Sequence, residues 1–230
     1  MTAPPALDGS GKGWPEKPTA AWDMGGKFPV QVQAGFDATT LYVRWSVEED
    51  SPWVNHGSDD KMLFKTGDSV DLQLGGDPAA LNNRNAPVSG DLRLLIAPFQ
   101  GKNAAMLYRH RVKGAANPVK FSSPWRTETV DEVRRLDSVK LYVWAGLNRN
   151  KNIQCYTVEA AIPLSELGLK PEPLKDYRCD FGVIYGDPDG QVNQLRSYWS
   201  NQVTGLVNDV PGEIMLSPNA WGSIRFEGGK

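Results

Sequence analysis

The chain has 230 residues, 25 of them Lys or Arg and 27 Asp or Glu, with a formal net charge of −2. A chain of this length can bury a large hydrophobic core, and its balanced charge argues against nucleic acid or an anionic membrane as a partner. No apolar run approaches the roughly 18–20 residues that span a bilayer, and the first residues lack the charged and apolar parts of a signal peptide.

The predicted elements are mostly strands, because apolar residues recur with a period of two rather than 3.6. In chain order the predicted strands cover residues 28–35, 40–47, 67–74, 91–97, 104–112, 138–145, 153–161, 178–185 and 221–227. Residues 163–169 predict one short helical turn between Pro163 and Gly168, and residues 127–135 are compatible with helix or strand. About ten short strands separated by turn residues predict an all-β fold. We expect an antiparallel β-sandwich of jelly-roll or immunoglobulin-like type with one or two short helical turns.

The chain is predicted to form a single domain over residues 6–227, because no internal repeat or low-complexity tract divides it. Residues 1–5 are proline-rich and residues 228–230 glycine-rich, so both are expected to be linker ends. Such ends favour a domain of a larger exported protein, located outside the cell, in the periplasm or at the cell surface.

The two cysteines, Cys155 and Cys179, match no zinc motif in their spacing. Both lie in predicted strands. They are interpreted either as two buried free thiols or as a strand-to-strand disulfide, which would need an oxidising compartment.

Six groups of short motifs follow one another along nearly the whole chain. They are Leu7-Asp8-Gly9 with Trp14 and Ala20-Ala21-Trp22, then residues 37–43, 47–52 and 67–72, then residues 158–167, and finally Pro218-Asn219-Ala220-Trp221-Gly222. In this order and spacing they resemble the family-9-like carbohydrate-binding modules, within the wider DOMON-like group of sandwiches. The resemblance implies a β-sandwich that binds carbohydrate and catalyses nothing.

The resemblance also implies where a sugar would bind. In sugar-binding members two aromatic rings enclose a terminal sugar while polar side chains bond its hydroxyls. The ring near the C-terminal end matches Trp199 within residues 198–201. At the position of the other ring the sequence offers Phe64, with Trp53 further upstream.

The eight tryptophans of the chain divide between core and surface. Trp45, Trp144 and Trp221 lie in predicted strands and are expected in the core, and Trp14 and Trp22 are expected to pack against one end of the sandwich. Three remain in polar, loop-like settings that core packing does not explain, and these are the predicted ring contacts for a ligand: Trp53, Trp125 and Trp199. Alternatively, these three close an open end of the sandwich.

Polar side chains are needed to bond the hydroxyl rim of a sugar. The predicted partners lie on strands or beside Trp199: Asp71, Gln73, Arg93, Arg196 and Asn201. Asp71 and Gln73 are expected on the outward face of their strand. As alternatives, Arg93 is an ordinary exposed arginine, and Asp71 pairs with such an arginine across strands.

The resemblance further implies a structural calcium ion, which requires six to eight oxygen ligands. The candidate ligands are Glu49 and Asp50 in one acidic loop and Asp187 and Asp189 in another, although acidic turns without metal are the alternative. Two histidines and two dispersed cysteines argue against zinc or copper, and no organic cofactor is expected.

Three rival functions remain open. A haem-binding electron-transfer domain needs axial ligands such as Met24 or Met62 with His110, since Met106 would share a strand face with His110. An enzyme is disfavoured because no GxSxG, HExxH, P-loop or GxGxxG motif is present. A protein-interaction or cell-surface module would also use exposed tryptophans. Carbohydrate binding by a monomer is the leading prediction.

Overall fold

The computed structural model describes residues 1, 3–172, 174–204 and 207–227, and within them fourteen strands. The first seven are β1 (Ala20–Trp22), β2 (Val30–Phe36), β3 (Thr40–Glu49), β4 (Ser69–Gly75), β5 (Asp91–Phe99), β6 (Lys102–Arg109) and β7 (Val119–Ser122). The others are β8 (Thr127–Val130), β9 (Glu132–Arg135), β10 (Lys140–Asn148), β11 (Ile153–Pro163), β12 (Asp176–Gly186), β13 (Asn193–Tyr198) and β14 (Gly222–Arg225). Helical segments are α1 (Leu164–Leu167), α2 (Val210–Ile214) and the 3₁₀ segments Asp60–Lys65 and Pro218–Ala220.

The strands form two large antiparallel sheets. The five-stranded sheet has the order β1-β2-β3-β11-β10. The seven-stranded sheet has the order β13-β12-β4-β5-β6-β9, with β14 also paired to β12. Strands β7 and β8 pair only with each other, as a separate hairpin. The predicted all-β antiparallel sandwich is therefore confirmed.

Alternation along the strands explains the main core between the two sheets. In β4 the side chains of Val70, Leu72 and Leu74 point into this core, where they meet Trp45 of β3 and Phe181 of β12. This is the period-two pattern that the sequence displays. It fixes the register, because a slip by one residue would turn every apolar side chain away from the core.

A second hydrophobic core lies on the opposite face of the seven-stranded sheet. We call the segments that cover this face the covering layer: the 3₁₀ segment Asp60–Lys65, the β7–β8 hairpin and α2. Their apolar side chains pack on the outward residues of β5 and β6, and the buried members include Leu63, Phe64, Leu95, Met106, Tyr108, Phe121 and Ile214. The central strands β4 and β5 are consequently buried on both faces.

Several local predictions are resolved by these elements. Residues 127–135 are two strands, β8 and β9, interrupted at Asp131. The predicted helical turn is α1, which ends at Gly168 with a left-handed φ of 63°. Within the described residues there are more strands than the ten expected, because β1, β7 and β13 are short and lack clear alternation.

The placement of the tryptophans corrects one prediction. Trp45 and Trp221 are buried as expected, but Trp144 on β10 is 45% exposed, so its assignment to the core is wrong. The reason is its register. Trp144 lies opposite Thr157 and Thr157 opposite Ser46, on the face of the five-stranded sheet that points away from the core.

The N-terminal segment covers part of that same outer face. Trp14 is buried against Tyr42 and Ala161, and the backbone N–H of Gly9 donates to Oε2 of Glu159. Of the expected linker residues 1–5, Pro5 is buried and the amino group of Met1 donates to the carbonyl of Phe36. Residues 228–230, the other expected linker, lie outside the described residues.

The two cysteines are free thiols, so the disulfide alternative is wrong. Cys179 on β12 is buried in the main core, whereas Cys155 on β11 is half-buried. The structure also contains, over the described residues, no helix long and apolar enough to cross a membrane.

Candidate functional site

The three tryptophans predicted to contact a ligand lie in three different settings. Trp53 is half-buried on Tyr156, with ring centroids 4.5 Å apart, and its Nε1 donates to Oδ1 of Asn103. Trp199, just after β13, is half-buried against Phe181 with centroids 6.2 Å apart. Trp125 is 83% exposed in the turn between β7 and β8. Of the three rings, Trp125 alone offers an open face.

Phe64, the predicted partner ring, is fully buried in the second core. The Tyr108 and Phe121 rings approach it at steep angles, with centroids 6.2 Å and 5.9 Å away, and the Arg93 guanidinium lies 5.3 Å from its centroid. A sugar cannot reach this ring. The prediction that Phe64 is exposed to ligand is wrong because the covering layer encloses it.

Asp71 and Arg93 form a fully buried ion pair between β4 and β5. The Arg93 Nε and Nη2 atoms lie 2.9 Å and 2.7 Å from Oδ2 of Asp71, and the Tyr198 hydroxyl donates to the same oxygen. Burial raises the pKa of the Tyr198 phenol well above its ordinary value. The alternative in which Asp71 pairs with an arginine across strands is therefore confirmed.

The other predicted rim partners are buried as well. Gln73 accepts a hydrogen bond from Nε1 of Trp221 at 2.8 Å, and the Arg196 guanidinium lies 5.7 Å from the ring of Tyr198. Asn201 is buried and donates its backbone N–H to Asp180 at 2.9 Å. The expectation that Asp71 and Gln73 have a solvent-facing side is wrong: they point away from the main core, but the outer face they share is covered.

Helix α2 is held against that face by side chains that were not among the predicted site residues. Asp209 caps the helix by accepting from the backbone N–H of Gly212. The buried Glu213 carboxylate accepts from Lys65 Nζ at 2.7 Å and from Asn193 Nδ2 at 2.6 Å. An Asp followed by a proline in the first turn is a helix-start signal, so this helix was detectable.

Polar groups surround the base of the Trp125 turn. The Arg126 side chain binds Asp209 through Nε at 3.1 Å and Nη2 at 2.6 Å, and the Ser123 hydroxyl donates to the same carboxylate at 2.6 Å. Arg126 also reaches the sulfur of the partly exposed Met215 at 3.9 Å. These bonds raise the pKa of Arg126 and hold the pKa of Asp209 well below its usual value. The turn therefore presents an indole beside a fixed, fully ionised pair.

Both predicted calcium loops line one hollow of 130 Å³ at an end of the main core. Its lining includes Glu49, Asp50 and Ser51 from one loop and Gly186 and Pro188 from the other. Among the described residues, however, no group of three or more acidic, His or Cys side chains is arranged to hold a metal.

The two predicted aspartates of the second loop have other partners. Oδ1 of Asp187 accepts from the backbone N–H groups of Gln191 and Val192 at 2.7 Å and 3.0 Å, which also lowers its pKa. The Asp189 carbonyl faces Nδ1 of His56 at 2.8 Å. This geometry is that of an acidic turn.

Glu49 is the group in this region whose charge needs compensation. It is 1% exposed, and neither carboxylate oxygen has a hydrogen-bond partner. Asp68 nearby is buried too, but accepts from the N–H groups of Val54 and Gly186. Burial, and the neighbouring carboxylates, raise the pKa of both Glu49 and Asp68. In the folded protein Glu49 thus requires a proton or a cation.

The haem alternative depends on His110, which is buried with its Nε2 atom 3.0 Å from the Ile214 carbonyl oxygen. Burial lowers its pKa to about 4. The covering layer occupies the space in front of the imidazole. Nothing in this arrangement favours an axial ligand.

Comparison with known proteins places the fold. No family model and no curated protein sequence matches the chain. A family 9 carbohydrate-binding module from Caldicellulosiruptor kristjanssonii in complex with cellotriose superposes with a TM-score of 0.53 at 15% identity, covering 99% of this chain and 92% of that chain. A family 9 module of the same organism in complex with glucose gives a TM-score of 0.50 at 15% identity, over 99% of this chain and 94% of that chain. The chain therefore has a fold similar to that of family 9 carbohydrate-binding modules over almost its whole length, as the order of the motifs predicted.

Proposed function

We propose that this protein is a non-catalytic carbohydrate-binding module. Its fold is similar to that of modules solved with cellotriose and with glucose. The observation that carries the proposal is the open indole of Trp125, 83% exposed at the tip of a hairpin that packs on the sandwich. An exposed aromatic ring on a hairpin packed against the sandwich can cover the C–H face of a pyranose.

The polar partners at this surface differ from those predicted. Arg126 and Asp209 hold each other by several hydrogen bonds, so their remaining donors and acceptors point in fixed directions. Such preorganised groups suit the hydroxyl rim of a sugar. In this proposal Trp125 takes precedence over Trp199 and Trp53, because both of those rings are partly used in packing.

The test is a binding screen. Affinity gel electrophoresis against soluble glucans, xylan and mannan, and calorimetry with glucose and cellotriose, should detect binding. Trp125→Ala should raise the Kd for a ligand at this surface by about tenfold or more, as expected for an aromatic anchor. Leu81→Ala removes another exposed apolar side chain, 75% exposed, and should change nothing. Absence of binding to every sugar would contradict the function and favour the protein-interaction alternative.

The calcium prediction is kept for the Glu49 hollow alone. Calcium prefers carboxylate, hydroxyl and carbonyl oxygens, and Glu49 offers two oxygens without a partner, next to Asp50 and Ser51. Added calcium should raise the Tm of the wild type relative to a chelator and leave the Tm of Glu49→Gln unchanged. An equal shift in both proteins, or none in the wild type, would contradict this site.

We also propose that the domain acts as a monomer and resides outside the cell, in the periplasm or on the cell surface, where polysaccharides are met. Light scattering during size-exclusion chromatography measures the first property. Fractionation of the native host measures the second.

A further inference from the structure

The outer face of the five-stranded sheet is covered over only part of its area. The N-terminal segment packs over Tyr42 and Arg44, whereas a row of side chains beside it stays open. The row crosses four strands in register: Gln31 lies opposite Ser46, Ser46 opposite Thr157, and Thr157 opposite Trp144. We call these four residues the Trp144 surface.

The indole of Trp144 lies along its own strand. Gly146 is two residues further on the same face, and a Cβ atom built there would be 3.0 Å from Cζ2 and 3.4 Å from Cη2 of Trp144. The ring therefore rests over the bare backbone of Gly146, with one face on the strand and the other toward solvent. The 45% exposure of the side chain agrees with a ring that is covered on one side.

Two hollows adjoin the ring, and both are lined by Trp144 and Thr157. One, of 340 Å³, is completed by Asp8, Gly9 and Tyr142. The other, of 270 Å³, is further lined by polar side chains and by a thiol, among them Gln31, Ser46, Glu48, Asn148 and Cys155. An extended ligand that crosses the indole would place one part in each hollow.

The basic side chains of Arg44 and Lys151 near these hollows are already paired, and the Asp8 carboxylate accepts from the backbone N–H of Ser10. Arg44 lies 3.1 Å from Glu159 and donates to Gln33, and Lys151 lies 2.5 Å from Glu48. The open row itself carries hydroxyl and amide groups around one aromatic ring. This chemistry suits a neutral, hydroxyl-rich ligand better than a phosphate or an acidic polymer, which would select unpaired cations.

We propose that the Trp144 surface is a second carbohydrate-binding surface, which takes a neutral oligosaccharide of at least two pyranose units. The class of ligand rests on the proposed function, but the location is independent of the Trp125 turn, which lies on the opposite sheet. One sugar ring stacks on the indole, while Thr157, Ser46 and Gln31 bond hydroxyls of the ligand.

The first test counts binding sites. Calorimetry with the tightest-binding sugar of the screen, cellotriose included, should give two ligands per wild-type chain and one per chain of Trp144→Ala. Leu147→Ala is the matched control, because Leu147 lies on the same strand, is also 45% exposed and points to the other face. It should keep two sites.

A second variant tests the position of the ring. Gly146→Ala places a methyl group where the indole now rests, so it should tilt the ring and raise the Kd of this site by about tenfold, while Trp144 itself is kept. Circular dichroism and the Tm report whether the sheet is intact in each variant.

Cys155 gives a readout of location that needs no mutation. It lines the 270 Å³ hollow beside Trp144 and is half-buried, whereas Cys179 is buried in the core. Bound sugar at ten times its Kd should slow alkylation of Cys155 by iodoacetamide about tenfold, since roughly one chain in eleven is then free. In Trp144→Ala the same sugar should give no protection.

The outcomes separate the two proposals. If the wild type binds one ligand, loses it in Trp125→Ala, and shows no protection of Cys155, the second surface is overturned and the proposed function stands. If no sugar of the screen binds the wild type, both the second binding surface and the proposed function are contradicted.

Discussion

At the scale of single residues, the buried pair of Asp71 and Arg93 dominates the outer face of the seven-stranded sheet. The two charges compensate each other only inside the fold, where Tyr198 donates to Oδ2 of Asp71 and the Glu213 carbonyl accepts from Arg93, while Oδ1 of Asp71 has no hydrogen-bond partner. Removing one member leaves the other charge buried without compensation. Arg93→Ala should therefore lower the free energy of unfolding by about 3–5 kcal/mol in urea denaturation.

The double variant Asp71→Leu with Arg93→Met is the control for this prediction. It removes both charges and keeps the volume apolar, so it should recover most of the lost stability. A single variant as stable as the wild type would show that water reaches the pair.

The same pair shows what the sequence could reveal at this scale. The alternation of residues along the strand correctly predicted that Asp71 and Gln73 point away from the main core. It did not disclose that a further layer covers them, since a polar residue between apolar ones has the same pattern whether it meets water or a buried partner. The prediction for Trp144 was wrong for the opposite reason. An apolar residue at an outward position has the same sequence pattern as one that faces the core.

At the scale of elements, α2 is too short to be stable by itself and depends on its packing. Ile214 anchors it in the second core, and the Ile214 carbonyl also faces His110. Ile214→Ala should lower the free energy of unfolding by about 2–5 kcal/mol, with Val210→Ala, which is only partly buried, costing less. Equal effects would mean that Ile214 does not anchor the helix.

Most strands were predictable, whereas in the covering layer only the start of α2 carried a sequence signal. Strands β3 and β4 alternate clearly, so their existence follows from period two, whereas β5 and β11 contain continuous apolar stretches that predict buried strands. The covering layer is made of a 3₁₀ segment, a four-residue hairpin pair and a five-residue helix, none long enough to establish a period. Among the predicted site residues, Phe64, Asp71 and Arg93 lie beneath that layer, whereas Trp125 is exposed in its hairpin.

At the scale of the whole molecule, buried carboxylates set the response to pH. Burial raises the pKa of Asp180 to about 7 and also raises that of Glu49 and Asp68. The folded chain thus keeps protons that the unfolded chain releases near pH 4. Stability from these groups is complete below that pH and is lost as the pH rises through the folded-state pKa values.

His110 acts in the opposite direction over a limited window. Its folded-state pKa of about 4 lies below the ordinary 6.5, so its contribution grows as the pH rises from 4 to 6.5 and is constant above. From pH 6.5 to about 8 the raised carboxylates dominate, and above about pH 8 the Cys155 and Cys179 thiols, whose pKa values burial also raises, add to the decline. Urea denaturation in chelator should show the free energy of unfolding falling there, by at most about 1.4 kcal/mol per pH unit for each proton.

Glu49→Gln isolates the largest part of this effect. The amide has nearly the shape of the carboxyl group but no charge, so the variant should show a shallower decline between pH 7 and 9. A slope identical to that of the wild type would mean that Glu49 is ionised in the fold and compensated by other groups.

The covering layer has a consequence for how the domain opens. The hairpin β7–β8 shares no ladder with either large sheet, and α2 reaches the sheet through side chains such as Ile214 and Glu213. Amide hydrogens of these segments should exchange with deuterium through local opening, at a lower free energy than global unfolding. Amides of β4 and β5, in the middle of the sheet, should exchange only when the entire domain unfolds. One chain would then show two classes of protection, divided along the second core.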